Sequence, residues 1–187
     1  MIVSTELDAL DVPSRYFALV DAYSNAAVLL CEALTAGRTD PTFANSCVIL
    51  WLTRHATELF YKGAVMAATG ILPQPPKPMG GHNLVFYENS FRQHYPAHRF
   101  VFTPPASEAL VGGGWSDEEV RQFLRDANKV HERYRYPTDS NGKDFDGVHG
   151  LDPAPLLETL RQSRKEMTVI ISQIQQERQG GQHATAT

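Results

Sequence analysis

Apolar residues recur at helical spacing along most of the chain. From Pro13 to Leu34 they follow one another at steps of three, four or seven, and Gly37 supplies a stop. A second helix is predicted to begin with Asp40 as N-cap and Pro41 at its first position, and to run to Gly70. Its first half is apolar on nearly all sides, which is typical of a helix at the centre of a bundle.

A proline-rich connector and a short helix follow. Four prolines fall between Ile71 and Met79, and this density is typical of an extended segment. Gly80 and Gly81 then precede a short helix from about Leu84 to Tyr95, which Pro96 closes.

Two longer helices are predicted in the second half of the chain. Ser116 and Glu119 have the spacing of a capping box, and the helix that they open ends near Pro137. The last helix is predicted to begin with Asp152 as cap and Pro153 at its first position. The polar stretch 138–150 between the two predicts a short hairpin-like insertion.

The fold class predicted from these elements is all-α: a four- to five-helix up-down bundle with the hairpin-like insertion before its last helix. Strand patterns sufficient for a sheet are missing from the sequence, which excludes Rossmann-type and barrel folds. We expect a single helical domain over residues 1–178 and a small, polar, disordered tail over 179–187.

Composition narrows the function classes without naming an activity. Of the 187 residues, 42% are apolar and 20% are charged, which is the balance of a globular protein. The net charge of -4 argues against a protein whose main role is to coat nucleic acid.

Because we find no signal-peptide pattern and no apolar stretch of membrane-spanning length, we expect a cytoplasmic protein with no membrane partner. Cys31 and Cys47 lie in apolar runs and are predicted to be reduced core thiols.

The first candidate site is a charged stripe on the second helix. Arg54, Glu58 and Lys62 are four residues apart, so they share one helix face where ion pairs form readily. They either form a solvated stripe or face a cleft or a partner subunit, where they could contact a substrate.

The second candidate site contains Arg125, Asn128 and His131. A guanidinium can stabilise charge that develops on a phosphate, and an imidazole can move protons near neutral pH. Together they suffice for cleavage of RNA without a metal, with Asn128 as an orienting group. On an unbroken helix six residues turn roughly 600°, which leaves Arg125 and His131 about 120° apart. A joint site would need a loosened helix or a dimer, and the alternative for His131 is a packed histidine on an apolar face.

The third candidate is the end of the same helix, where Arg133, Arg135 and Tyr136 could hold a phosphate and stack on a base. The alternative is that these cations only stabilise the negative end of a helix dipole. Positive and negative side chains balance over residues 116–137, so no broad electrostatic funnel is expected. No metal site, nucleotide fingerprint or Ser-His-Asp arrangement is found, and we expect no cofactor.

Several of these segments together resemble the HEPN superfamily, small helical bundles of prokaryotic defence and toxin–antitoxin systems. The segment from Arg54 to Lys62 resembles its R-x-A-x-E-L-x-x-K-A helix. The segment Gly81–Leu84 is similar to its G-H-D-L motif, with Asn83 in place of Asp. Arg135-Tyr136-Pro137 resembles its R-Y-P terminus, and the segment from Arg125 to His131 satisfies the R-x(4–6)-H pattern of its ribonucleases.

This resemblance implies a helical bundle, commonly a homodimer in which the R-x(4–6)-H residues lie near the dimer cleft. It implies either a metal-independent endoribonuclease with a cognate antitoxin as partner, or a binding partner of a minimal nucleotidyltransferase, as in members that lack the nuclease pair. The alternative is a non-catalytic helical module that binds a protein partner or a nucleotide through the Arg54, Glu58 and Lys62 stripe. Both functions stay open at this point.

Overall fold

The computed structural model describes residues 5–77, 82–100 and 152–184. In this part of the chain it forms helices and no strand, so the prediction of an all-α fold is confirmed there. The helices are α1 (Thr5–Asp8), α2 (Val12–Thr35), α3 (Phe43–Thr69), α4 (Leu84–His94) and α5 (Pro153–Ala184). The helix predicted after Ser116 and the hairpin-like insertion over 138–150 lie outside the described residues.

Helix α2 ends where the sequence predicts, at a glycine. Gly37 has a φ of 64°, the left-handed conformation that a residue with a Cβ adopts at a cost. The Gly37 N–H donates to the Leu34 carbonyl at 3.0 Å, and the Arg38 N–H donates to the Ala33 carbonyl at 2.8 Å. These two bonds form a Schellman motif, which satisfies carbonyls that the end of the helix would otherwise leave unpaired.

Helix α3 begins later than predicted. Its first residue is Phe43, and the N-cap is Thr42, whose hydroxyl accepts a hydrogen bond from the Asn45 N–H at 3.2 Å. Asp40, predicted as the cap, contributes its backbone carbonyl oxygen instead, which accepts a hydrogen bond from the side-chain amide of Asn45 at 2.8 Å. The prediction was wrong by two residues because a second capping residue follows the Asp-Pro pair and lies three residues before the N–H that needs a partner.

Helices α4 and α5 begin at the residues that the sequence predicts. Asn83 is the N-cap of α4, and its side-chain oxygen accepts from the Phe86 N–H at 3.0 Å. Asp152 accepts from the Ala154 N–H at 3.1 Å, so α5 begins at Pro153 as predicted. Helix α5 then continues to Ala184, and residues 179–184, which the sequence assigns to a disordered tail, are helical.

The chain divides into two compact units. Described residues of the first unit fall within 5–23, 55–77, 82–100 and 163–184, and those of the second within 24–54 and 152–162. Within each unit, parts of the long helices pack side by side around a buried core, as in a helical bundle. The single domain expected over residues 1–178 stays a prediction.

Aromatic side chains form the core of the first unit. The Phe60 ring lies 5.3 Å from Phe91 and 5.1 Å from Phe100, centroid to centroid. Tyr61 is fully buried, and its hydroxyl donates to the Phe100 carbonyl at 3.1 Å. Since a buried hydroxyl without a partner costs free energy, this bond lets a tyrosine occupy the core.

Aliphatic side chains form the core of the second unit. The buried members are Ala27, Val28, Cys31, Leu34, Ile49, Leu50, Leu156, Leu157 and Leu160. The Cys31 thiol donates to the Pro153 carbonyl at 3.3 Å, and burial raises its pKa to about 11. Cys31 is thus the buried thiol that the sequence predicts, while Cys47 is only half-buried.

Among the described helices, α2 is long and apolar enough to cross a membrane by length and composition. The core helix of a soluble protein and a signal sequence pass the same test. Helix α2 also contributes buried residues to both cores, among them Phe17 and Ala27. Cytoplasmic localisation therefore stays a prediction.

Candidate functional site

The structure describes three of the nine predicted site residues, and all three lie on α3. Arg54 is half-buried and belongs to the second unit, whereas Glu58 and Lys62 belong to the first. The other six lie outside the described residues: Arg125, Asn128, His131, Arg133, Arg135 and Tyr136. Their roles stay predictions.

Glu58 and Lys62 form an ion pair inside the first unit. The Lys62 Nζ lies 2.5 Å from the Glu58 Oε1, and the side chains are 15% and 7% exposed. The interpretation of these two residues as a solvated stripe was wrong. All residues from Ala56 to Tyr61 are buried, so this turn of α3 has no face that is open to solvent. The four-residue spacing predicted the pairing but not the burial.

His82 completes the environment of the Glu58 carboxylate. Its Nδ1 lies 3.1 Å from each carboxylate oxygen, while its side chain is 51% exposed. His82 directly precedes Asn83, the buried N-cap that fixes the start of α4. His82 belongs to the family-like segment Gly81–Leu84, but its contact with Glu58 was not predicted from the sequence. The available signal for this contact was that both residues fall in segments of one resemblance.

Tyr87 provides a second partner for the Lys62 ammonium. The Lys62 Nζ lies 4.6 Å from the centroid of the Tyr87 ring, which is a cation–π distance. Tyr87 is 1% exposed and lies one turn after Asn83, whose carbonyl accepts the Tyr87 N–H at 3.2 Å. We call Glu58, Lys62, His82 and Tyr87 the α3–α4 cluster.

The charges of the α3–α4 cluster stabilise one another. Burial alone would raise the pKa of Glu58, but the hydrogen bonds and positive charges of Lys62 and His82 outweigh it and lower the pKa below 4.5. Burial alone would lower the pKa of Lys62, but Glu58, with a smaller contribution from Tyr87, raises it above 10.5. The glutamate is therefore ionised and the lysine protonated across the neutral range.

This arrangement offers an oriented imidazole rather than a metal site. A carboxylate that binds one ring nitrogen of a histidine fixes the orientation of the ring and determines which nitrogen carries the proton. Among residues 5–77, 82–100 and 152–184, no three His, Cys, Asp or Glu side chains are grouped as a metal ion would require. Proton transfer is the chemistry that the α3–α4 cluster can support.

We expect Glu58→Gln to reduce the acid sensitivity of the protein. Because the folded state lowers the pKa of Glu58, its charge stabilises the fold above pH 4.5, and this contribution is lost as the pH falls through the folded pKa. Urea unfolding at a series of pH values between about 7 and 3 should show a smaller loss of stability in Glu58→Gln than in the wild type. Glu158→Gln, at an exposed position of α5, is the control for the substitution itself. Identical pH dependence in Glu58→Gln and wild type would contradict the assignment.

Comparison with known proteins does not extend this description. No protein-family model matches the chain, no curated protein matches it, and no solved structure matches its fold.

Proposed function

We propose that the chain is a HEPN-like endoribonuclease that cleaves RNA without a metal ion. The observation that carries the proposal is the contact of Glu58 with His82. These residues come from two different segments on which the resemblance rests, 24 positions apart, and they meet in an all-α fold. The contact joins the two motifs physically, since the carboxylate of one binds the imidazole of the other.

In the proposed reaction the 2′-hydroxyl of a ribose attacks its own 3′-phosphate. His131 acts as general acid and base: it takes the proton of the 2′-hydroxyl and delivers a proton to the departing 5′-oxygen as the P–O5′ bond breaks. Arg125 stabilises the charge on the phosphate oxygens. Asn128 orients the reacting groups, while Arg133, Arg135 and Tyr136 contact the substrate. The products are a 2′,3′-cyclic phosphate and a 5′-hydroxyl end.

The active form in this proposal is a homodimer in the cytoplasm. Arg125 and His131 would lie about 120° apart on an unbroken helix, so two copies can supply one group each. A free ribonuclease damages its host, and a cognate antitoxin is therefore the expected partner, whereas a nucleotidyltransferase as partner would favour the non-catalytic alternative. Expression of the chain alone should arrest growth.

The direct test is cleavage of a fluorescent single-stranded RNA by purified protein in excess EDTA. We expect His131→Ala and Arg125→Ala to lower kcat/KM at least about 100-fold, which is typical for loss of an acid–base or charge-stabilising group. The matched controls are His94→Ala and Arg38→Ala, both at exposed positions of the described chain. They should cleave as the wild type does.

Equal cleavage by the wild type and His131→Ala would contradict the proposed roles. Absence of cleavage by the wild type would instead favour the alternative, a non-catalytic helical module that binds a protein partner or a nucleotide. The net charge of -4 is compatible with that alternative. A gel-shift assay with the same RNA would then distinguish RNA binding from binding of other partners.

A further inference from the structure

The connector between α3 and α4 is longer than the joining of two helices requires. Helix α3 ends at Thr69 and α4 begins at Leu84, whereas connections between the helices of a bundle usually take about 2–8 residues. The described part of this connector, residues 71–77, contains neither helix nor strand. No hydrogen bond within the described chain involves residues 72–77. The fold therefore leaves the backbone carbonyls of this segment without internal partners.

The covalent geometry of proline determines the conformation of this segment. Each residue from 72 to 77 is either a proline or directly precedes one in the sequence. The proline ring fixes φ near about −65°, and the residue before a proline is restricted to extended conformations. An unbroken run of such residues favours a polyproline II helix, which has no internal hydrogen bonds. A segment ordered in advance loses little conformational entropy when a partner binds it.

Exposure along the segment follows the three-residue period of a polyproline II helix. One edge is exposed at every position, and it consists of Ile71, Gln74 and Lys77. A second edge, formed by Leu72 and Pro75, is half-buried at both positions. The segment therefore lies along the protein on the second edge and presents the first to solvent.

The end of α3 holds Ile71 outward. This isoleucine is 71% exposed, the largest value among the exposed apolar side chains of the described chain. Gly70 has a φ of 72°, and its N–H donates to the Met66 carbonyl at 2.8 Å, which is the αL type of helix end. The Thr69 hydroxyl accepts a hydrogen bond from the Ile71 N–H at 3.1 Å. These bonds fix the backbone of Ile71 at a position from which its side chain does not fold back onto the helix.

The third edge of the segment carries two prolines one turn apart. Pro73 is half-buried and Pro76 is exposed, and they have the P-x-x-P spacing that grooves lined by aromatic side chains bind. Lys77 follows directly, and no acidic side chain of the described chain pairs with it. A cation beside an apolar ridge favours a partner groove with a carboxylate at its rim, because opposite charges fix the register of binding.

We propose that residues 71–77, the proline ridge, bind a partner protein in a groove that is lined by aromatic side chains and has a carboxylate at its rim. Ile71 and the two prolines of the third edge supply the apolar contact, and Lys77 pairs with the carboxylate. The carbonyls of the ridge accept hydrogen bonds from the N–H and O–H groups that aromatic side chains of the groove provide. The inference does not depend on the proposed function, since no residue of the ridge belongs to the predicted RNA site.

The test measures binding of the full chain to purified SH3, WW and EVH1 domains, whose aromatic grooves accept polyproline II segments. Isothermal titration calorimetry should show saturable binding by at least one of these domains. Pro73→Ala combined with Pro76→Ala should raise its Kd at least about tenfold, because apolar contact is lost and the segment is no longer ordered in advance. The matched control is Pro41→Ala combined with Pro155→Ala, two exposed prolines elsewhere in the chain, which should leave the Kd unchanged.

A charge reversal tests the carboxylate at the rim. Lys77→Glu should weaken binding more than Lys165→Glu, an exposed lysine of α5, and the difference should shrink at high salt. Equal Kd values for these two variants would overturn the acidic rim. Absence of binding by all three kinds of domain, or equal Kd values for the two double-proline variants, would overturn the inference and leave the proposed function untouched. If circular dichroism shows that the Pro73 and Pro76 double variant is poorly folded, Pro76→Ala alone takes its place.

Discussion

Replacing Gly63 by alanine is expected to lower the free energy of unfolding by about 2 kcal/mol, even though alanine is the better helix former. A Cβ at this position would lie 2.8 Å from the Cβ of Tyr16 and 2.9 Å from the Cε1 of Phe17. The Tyr16 Cβ is attached directly to the backbone of α2 and cannot swing aside. Segments of α2 and α3 would therefore have to separate, and packing around the buried Phe17 would loosen.

Gly180→Ala provides a matched control for this prediction. Gly180 also lies within a helix, but a Cβ added there has nothing within 4 Å. The same substitution should raise stability at this position by about 0.5 kcal/mol, because only helix propensity changes. Urea unfolding followed by circular dichroism measures both variants. A Gly63→Ala protein at least as stable as the wild type would contradict the close packing of α2 on α3.

Replacing Lys62 by methionine is expected to lower the free energy of unfolding by about 3 kcal/mol. The substitution keeps most of the buried volume but removes the cation that lies 2.5 Å from Glu58. The Glu58 carboxylate, 7% exposed, would then be buried with the half-exposed His82 as its nearest partner. A buried charge that loses its cation costs far more than an exposed one, and this cost dominates the effect.

The control for Lys62→Met is Arg92→Met on α4. Arg92 pairs with Glu88 at the same four-residue spacing, but its side chain is 54% exposed. Its loss should cost less than about 0.5 kcal/mol. Adding Glu58→Gln to Lys62→Met should recover part of the lost stability, because it removes the buried charge that has lost its lysine. Similar small losses in Lys62→Met and Arg92→Met would contradict the burial of the ion pair.

Helix starts could be predicted from the sequence where one capping signal stands alone. Asp152 followed by Pro153 marked the start of α5 correctly because no second capping residue follows the pair in the sequence. The similar pair Asp40-Pro41 misled the prediction because Thr42 follows it and caps α3 instead. Local sequence identifies capping residues, but the path of the backbone decides which of two neighbours acts.

Of the candidate site, only the pairing of side chains within one helical turn could be predicted from the sequence. Helical spacing predicted that Glu58 and Lys62 would pair, since the geometry of one turn determines it. Their burial depends on the aromatic packing around Phe60 and Phe91, which no short window of sequence contains. The contact with His82 joins positions 24 residues apart across a proline-rich connector, so no periodic pattern could indicate it.

The most direct test of the account is the chemistry of the RNA ends after incubation with the wild-type protein in EDTA. Mass spectrometry of the fragments distinguishes a 2′,3′-cyclic phosphate from a 3′-hydroxyl. The proposed function predicts fragments that carry a 2′,3′-cyclic phosphate and a 5′-hydroxyl, formed by the wild type and not by His131→Ala. Intact RNA, or fragments with 3′-hydroxyl and 5′-phosphate ends, would contradict it.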